Sequence, residues 1–414
     1  MSELIDNNRK RKEDLKEIIK TLNKSEDHER TRSEMKKRFS KILKTLSPEE
    51  IAEAEQSLIQ EGMAVEEVQK LCEIHVDAFE DTLKKNRAKD RGAARLAKMP
   101  GHPVATYRAE NARLKIELRH FGRELKAARK TLSTEHLAHA FESVSRIEVH
   151  YERKENQLFP YLENAGFTGP SKVMWGKHDE IREIMRAFRT ALAEGNIEQC
   201  RIRGTGMIRA MKRMVFMEEK ILFPTALTKL PEAIWIAIRR GEAAIGYAWI
   251  KPGNLWDPNV AESAVRDKPP EAHDTGAESR LPLDTGELTL EQINLMLKNL
   301  PVDISFVDEH DIVRYYSDNA DRIFPRSPGV IGRAVQNCHP PSSVHVVQKI
   351  VDDFRSGKRE VAEFWIQMRG KFVHIRYFPV FSGDTYRGVI EVSQEVSGIR
   401  SLEGEKRILD GEKD

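Results

Sequence analysis

The sequence predicts a multidomain protein: an all-α N-terminal domain and a four-helix bundle, followed by an α+β domain built on an antiparallel sheet. Three observations carry this. The chain has 414 residues, more than one ordinary hydrophobic core accommodates. Apolar residues recur at helical spacing from the N-terminus to about Ile250. Beyond a proline-rich stretch, runs of β-branched and aromatic residues replace that pattern.

The N-terminal helices come first. Leu4, Leu15, Ile18, Ile19 and Leu22 share a helical phase, continued by Phe39, Ile42, Leu43 and Leu46. Ser47, Pro48, Glu49 and Glu50 form a helix start, with serine as cap, proline in the first turn and glutamate three after the cap. That helix carries Ile51, Ala54, Leu58 and Ile59 and stops at Gly62. A further stripe runs through Val68, Leu71, Cys72, His75 and Phe79, and the stretch from Asn86 to Gly101 reads as a connection. Cys72 and His75 lie on one helix face, but one such pair is half a zinc site, and packing is the favoured role.

Four helical patterns separated by short loops then predict an antiparallel bundle. They carry Leu114, Leu118, Phe121 and Leu125; Phe141, Val144, Ile147, Leu158 and Phe159; Met174, Ile181, Met185, Phe188 and Leu192; and Ile208, Met211, Val215, Ile221 and Leu222. A short trailing helix contains Trp235, Ile238 and Ile245. Pro252, Pro258, Pro269, Pro270 and Pro282 mark a linker. Past it, Val302–Val307 and Ile312–Tyr316 read as strands around a turn, Ser342–Phe354 as a helix, and Glu360–Met368, Lys371–Val380 and Tyr386–Val396 as three more strands. The predicted domains are 1–90, 102–248 (bundle with trailing helix), 249–287 (linker) and 288–400.

Composition narrows the function. With 68 basic and 66 acidic residues, net charge near zero supports neither a nucleic-acid partner nor a membrane surface. No run approaches the ~20 apolar residues of a membrane helix, so no insertion is expected. Three cysteines, Cys72, Cys200 and Cys338, lie far apart. They form no disulfide framework and fit a reducing compartment. The basic N-terminus lacks the apolar segment of a secretory signal, so the expected location is cytoplasmic.

Two bundle segments echo each other. His150, Lys154, Glu155, Leu158, Phe159 and Pro160 match Met214, Glu218, Glu219, Leu222, Phe223 and Pro224 position by position. This pattern, over residues 102–230, resembles the hemerythrin-like (HHE cation-binding) family. The resemblance implies non-haem iron held inside four helices by histidines and carboxylates. A His and a Glu four residues apart share a helix face and can reach one ion. The candidate metal ligands are His102, Glu110, His150, Glu155, His178 and Glu218. Lys154 stands where the matching glutamate is expected, Met214 at a histidine position, and Asn111 where many relatives carry histidine. The inventory is thus three histidines where five are usual, which leaves a one-ion site, an altered site or none. His120 fits the exposed side of its helix, and Lys115 and Arg119 read as solvated charge.

The C-terminal run Leu300–Asp308, the segment Ile312–Ser317, Val330–Arg333 and the closing strands Phe372–Tyr377 and Gly388–Val392 resemble a PAS domain over 290–398. Cys338 and His339 sit where such domains enclose small ligands. They are candidates for haem or redox chemistry, although a turn stopped by Pro340 and Pro341 is the favoured reading. The whole arrangement resembles bacterial proteins with an uncharacterised helical N-terminal domain. It implies a sensor in which the bundle binds iron, and through it oxygen or nitric oxide, while the PAS domain takes a small-molecule ligand or forms a homodimer. The alternatives are a di-iron enzyme repairing nitrosative or oxidative damage and a haem-responsive module; no catalytic residue is assigned, and a non-enzyme is favoured.

Overall fold

The computed structural model describes residues 53, 56–59, 61–63, 95, 97–131, 134–265, 280–319 and 322–404. The helix start at Ser47–Glu50 and the Cys72/His75 pair lie outside the described residues. Of the predicted first domain, residues 56–59 are helical and Leu58 is buried. Gly62 has φ +95°, a backbone conformation that suits glycine just past a helix end. Two compact units emerge, one built mainly on residues up to Pro270 and the other mainly on residues from Glu271.

The first unit is the bundle. Its first long helix is α1 (Pro103–Thr131). The second is assembled from α2 (Glu135–Ser145), α3 (Ile147–Arg153) and α4 (Phe159–Asn164), with a π-helical turn over Lys154–Leu158 between the last two. The third is α5 (Gly169–Ala193). The fourth joins α6 (Ile197–Met217) to α7 (Phe223–Lys229) through a π-helical turn over Glu218–Leu222. The trailing helix α8 (Glu232–Ile245) follows. Leu114, Leu118, Phe121, Phe141, Val144, Ile147, Ile181, Met185, Phe188 and Met211 are all buried in one core. The periodic apolar positions therefore face inward, as helical spacing requires. Phe188 holds the centre, its ring 4.6 Å from Phe141 and 5.3 Å from Phe121. His120 is on the outside, beside Glu124.

The segment 249–287 is not wholly the linker its composition suggested. It contains α9 (Pro258–Val265), which packs on α8. Trp256 is buried and its indole donates to Glu232 at 2.8 Å, while Trp249 donates to the Ser143 carbonyl at 2.9 Å. Isolated tryptophans among prolines leave no periodic trace, which is why the anchoring escaped the sequence pattern.

The second unit begins with a small hairpin, β1 (Arg280–Pro282) and β2 (Glu287–Thr289). Thr289 and Gln292 then cap α10 (Leu290–Asn299) reciprocally. Five antiparallel strands make the main sheet: β3 (Asp303–Asp308), β4 (Val313–Tyr316), β5 (Ala362–Met368), β6 (Lys371–Ser382) and β7 (Thr385–Glu395), in the order β4-β3-β7-β6-β5. Helix α11 (Val344–Arg355) packs on β6 and β7, and a single turn, α12 (Ser397–Arg400), ends the unit. Opposite Asp308, Gly388 has φ +135°. A Cβ there would overlap the Val307 carbonyl oxygen. Among the described residues, no single helix is long and apolar enough to cross a membrane.

Candidate functional site

The two π-helical turns fall on the two echoing segments. Each ends where a proline, Pro160 or Pro224, interrupts the α-helical ladder. Proline lacks an N–H and crowds the carbonyl four residues back. The chain relaxes this crowding by widening one turn: Phe159 N–H reaches the Lys154 carbonyl and Phe223 N–H the Glu218 carbonyl, five residues back. Such widened turns recur at functional sites because they re-aim side chains. Here they aim Lys154 and Glu218, equivalent positions in the two segments, at one another across the bundle core.

The result is one continuous buried network. His150 Nδ1 lies 2.7 Å from Glu110 Oε2 and its Nε2 lies 3.2 Å from Glu218 Oε2. The Lys154 ammonium donates to Glu218 Oε1 and lies 2.9 Å from His178 Nε2. His178 Nδ1 is 2.6 Å from Glu155 Oε1, and Arg182 donates to the other Glu155 oxygen at 2.9 Å. Asn111 donates to Glu218 at 2.7 Å. Arg153, fully buried, forks onto both oxygens of Glu110 at 3.0 and 2.5 Å, and its Nε lies 3.1 Å from Glu242. The Ala248 N–H donates to Glu110 at 2.8 Å. Aromatic rings wall the network: Tyr151 stacks on His178 at 4.3 Å and Tyr107 meets His150 edge-on at 5.0 Å.

Burial and pairing pull the titrations apart. Burial presses the Glu218 carboxyl upward, but Lys154 and His150 outweigh it and bring its pKa to about 2. Glu110 likewise ends below the usual range, burial being overcome by His150 and Arg153. Glu155 and Glu242, where burial prevails over their arginine neighbours, are each pushed up to about 7. Burial, reinforced by Lys154 and Arg182, drives His178 well below the ordinary imidazole value. Burial also lowers Lys154, against the pull of Glu218.

The structure thus brings five of the six sequence-predicted ligands, Glu110, His150, Glu155, His178 and Glu218, into one network. His102 stands outside it. It caps α1, its Nδ1 accepting the Val104 N–H at 3.2 Å, with Trp235 and Trp256 packed 5.0 and 5.1 Å from its ring. Burial lowers its pKa to about 4. Among the described residues, no group of three or more His, Cys, Asp or Glu side chains is disposed to hold a metal ion.

The donor set does not fit the iron that the family resemblance implies. Both nitrogens of His150 and both of His178 already face hydrogen-bond partners. The Lys154 ammonium lies between Glu218 and His178, where a shared ion would need both. A divalent ion about 4 Å from that ammonium would meet a repulsion of about 8 kcal/mol at an effective dielectric of about 20. Sequence reading flagged Lys154 only as a departure and missed Arg153, Arg182 and Glu242. Glu242 had a visible signal, since it shares a helical phase with Trp235, Ile238 and Ile245. Arg153 had one too, three residues after His150 on the same face.

The second unit holds a cavity of ≈ 180 Å³ under α11, lined mainly by Val307, Val347, Ile350, Val351 and Val389. Its polar groups are His339, Ser343, Glu391 and Tyr377. Burial lowers His339 to about 4, leaving a neutral imidazole, and raises Tyr377 well above the phenol range. Cys338 points elsewhere, its Sγ 3.7 Å from the Ala334 carbonyl oxygen. Of the two residues offered as a haem or redox candidate, His339 lines this cavity and Cys338 does not. The space is also below the roughly 300–1,000 Å³ of a drug-sized ligand pocket, and haem is larger than most such ligands.

Family matches over the bundle and the C-terminal sheet agree with this architecture. Residues 102–226 match the hemerythrin HHE cation binding domain, residues 293–397 a PAS domain, and residues 15–85 a family of unknown function, DUF438. A C-terminal domain from Streptococcus mutans is 35% identical over 31% of this chain and 99% of its own, with a TM-score of 0.30. The PAS domain of a Colwellia psychrerythraea protein is 12% identical over 26% of this chain and 98% of its own, with a TM-score of 0.22. The sensor region of a sensor histidine kinase is 17% identical over 24% of this chain and 40% of its own, with a TM-score of 0.18. No curated protein matches.

Proposed function

We propose that this chain, which joins a hemerythrin HHE domain to a PAS domain, is a sensor whose ligand is a small apolar molecule taken up in the PAS cavity. One observation carries the reading: a preformed apolar space of ≈ 180 Å³ into which His339, Glu391 and Tyr377 bring polar groups. Pockets of this kind bind by apolar burial and fix orientation through a few polar contacts. The ligand has a small hydrocarbon body and a single hydroxyl-like donor or acceptor. It acts by differing affinity for two arrangements of the protein.

Self-association belongs to the same proposal. β5 is an edge strand, and its Phe364, Trp365 and Ile366 are 40%, 63% and 38% exposed. Exposed apolar side chains along an unpaired edge favour pairing with a second copy. The pairing of the buried carboxylates with Lys154, Arg153 and Arg182 argues against iron-based gas sensing and di-iron repair chemistry. Titration calorimetry with phenol as a probe tests the cavity. The wild-type chain takes up about one phenol with a negative heat-capacity change, and Val389→Phe, which fills the space, abolishes uptake. Equal binding by both proteins would refute the reading.

A further inference from the structure

We propose that the Lys154 ammonium is the resident cation of the bundle, standing in the four-helix core where an HHE domain takes its metal. The bundle then folds and neutralises its buried carboxylates without iron. Three independent features lead there. The first is placement. Lys154 is fully buried, with its Nζ between Glu218 Oε1 and His178 Nε2, two side chains that come from different helices.

The second is internal correspondence. Lys154 and Glu218 open the two π-helical turns at matching positions of the echoing segments. Two carboxylates at these positions would face each other and need a cation between them. One carboxylate and one ammonium satisfy each other directly, as a desolvated ion pair with further hydrogen bonds does. The third is the surrounding charge. Glu110 is forked by Arg153, which also reaches Glu242, and Glu155 is held by Arg182, so the further carboxylates of the network also face side-chain cations.

The inference concerns the bundle alone and stands apart from the PAS reading. The test uses the full chain, produced in iron-supplemented medium and purified without oxygen. Elemental analysis is expected to find less than about 0.1 metal ion per chain, and EDTA to leave the bundle's melting temperature unchanged, because only a metal-dependent fold responds to a chelator. About one or more iron per chain, removed by EDTA with a fall in melting temperature, overturns the proposal. The variant Lys154→Met keeps much of the side-chain volume and frees Glu218 and His178. It is expected to melt lower than wild type in EDTA and to gain about 5 °C or more from excess ferrous or zinc ion, a shift wild type does not show. If wild type gains the same shift, the proposal fails. The wild-type arm decides the matter even where the variant does not fold.

Discussion

Replacing Arg153 by methionine isolates the strongest element of the buried network. The guanidinium is fully buried, forks onto Glu110, reaches Glu242 and donates to the Gly246 carbonyl at 3.0 Å. It also lies over the rings of Tyr107 and Tyr247, at 4.5 and 4.8 Å. Methionine refills part of the volume but leaves Glu110 and Glu242 without this cation. Removing one partner of a buried pair costs about 3–5 kcal/mol, and loss of the ring contacts adds up to about 2 kcal/mol. For a bundle of this size each kcal/mol lowers the melting temperature by about 2–4 °C, so the combined loss of about 3–7 kcal/mol predicts a fall of about 6–28 °C at pH 7. The assay is thermal denaturation of the full chain followed by far-ultraviolet circular dichroism, reading the bundle transition. Adding Glu110→Gln restores part of the loss, with a coupling above about 2 kcal/mol in the double-mutant cycle. The pH sign is also fixed. Glu242 already titrates at about 7 in the folded protein, above its ordinary 4.5. Without Arg153 the folded state binds that proton more tightly still, so the Glu242 part of the variant's deficit shrinks as pH falls toward about 7 and levels off below it. A loss below about 1 kcal/mol, or a coupling near zero, would refute the reasoning.

Three further outcomes are expected. His339 is held at about 4 in the folded protein against 6.5 ordinarily. The stability it contributes is full above pH 6.5 and lost as pH falls toward 4, up to about 3 kcal/mol at about 1.4 kcal/mol per unit; denaturation of the PAS transition across that window shows the slope in wild type and not in His339→Asn. Gly388→Ala strains a positive φ and overlaps the Val307 carbonyl, so the PAS transition loses about 2 kcal/mol or more while the bundle transition stays in place. Trp365→Glu puts a charge on the exposed edge strand, and analytical ultracentrifugation is expected to show self-association weakened about tenfold or more.

The helices and strands were legible because burial imposes a period. The buried stripe Leu114, Leu118 and Phe121 appears in the sequence where the structure places it, and the strand read over Val302–Val307 falls within one residue of β3 at Asp303–Asp308. Glu155, His150, His178 and Glu218 were legible as candidate ligands of one ion, but their pairing with one another was not. The π-helical turns were not, since one widened turn shifts a helical phase by less than the scatter of apolar positions. That shift is what turns Lys154 from a missing ligand into a buried ion-pair partner. His102 misled for a different reason. Its place at the start of α1 gives it a capping role and tryptophan neighbours, and spacing along one helix carries no information about residues from Trp235 and Trp256.

The most direct test is anomalous diffraction at the iron absorption edge, from crystals of the full chain grown with ferrous iron. With Lys154 holding Glu218 and His178, no anomalous peak is expected among His150, His178 and Glu218, and the Lys154 side chain fills the density between them. A strong peak there, with the lysine displaced from both partners, would contradict a core neutralised by its own side chains.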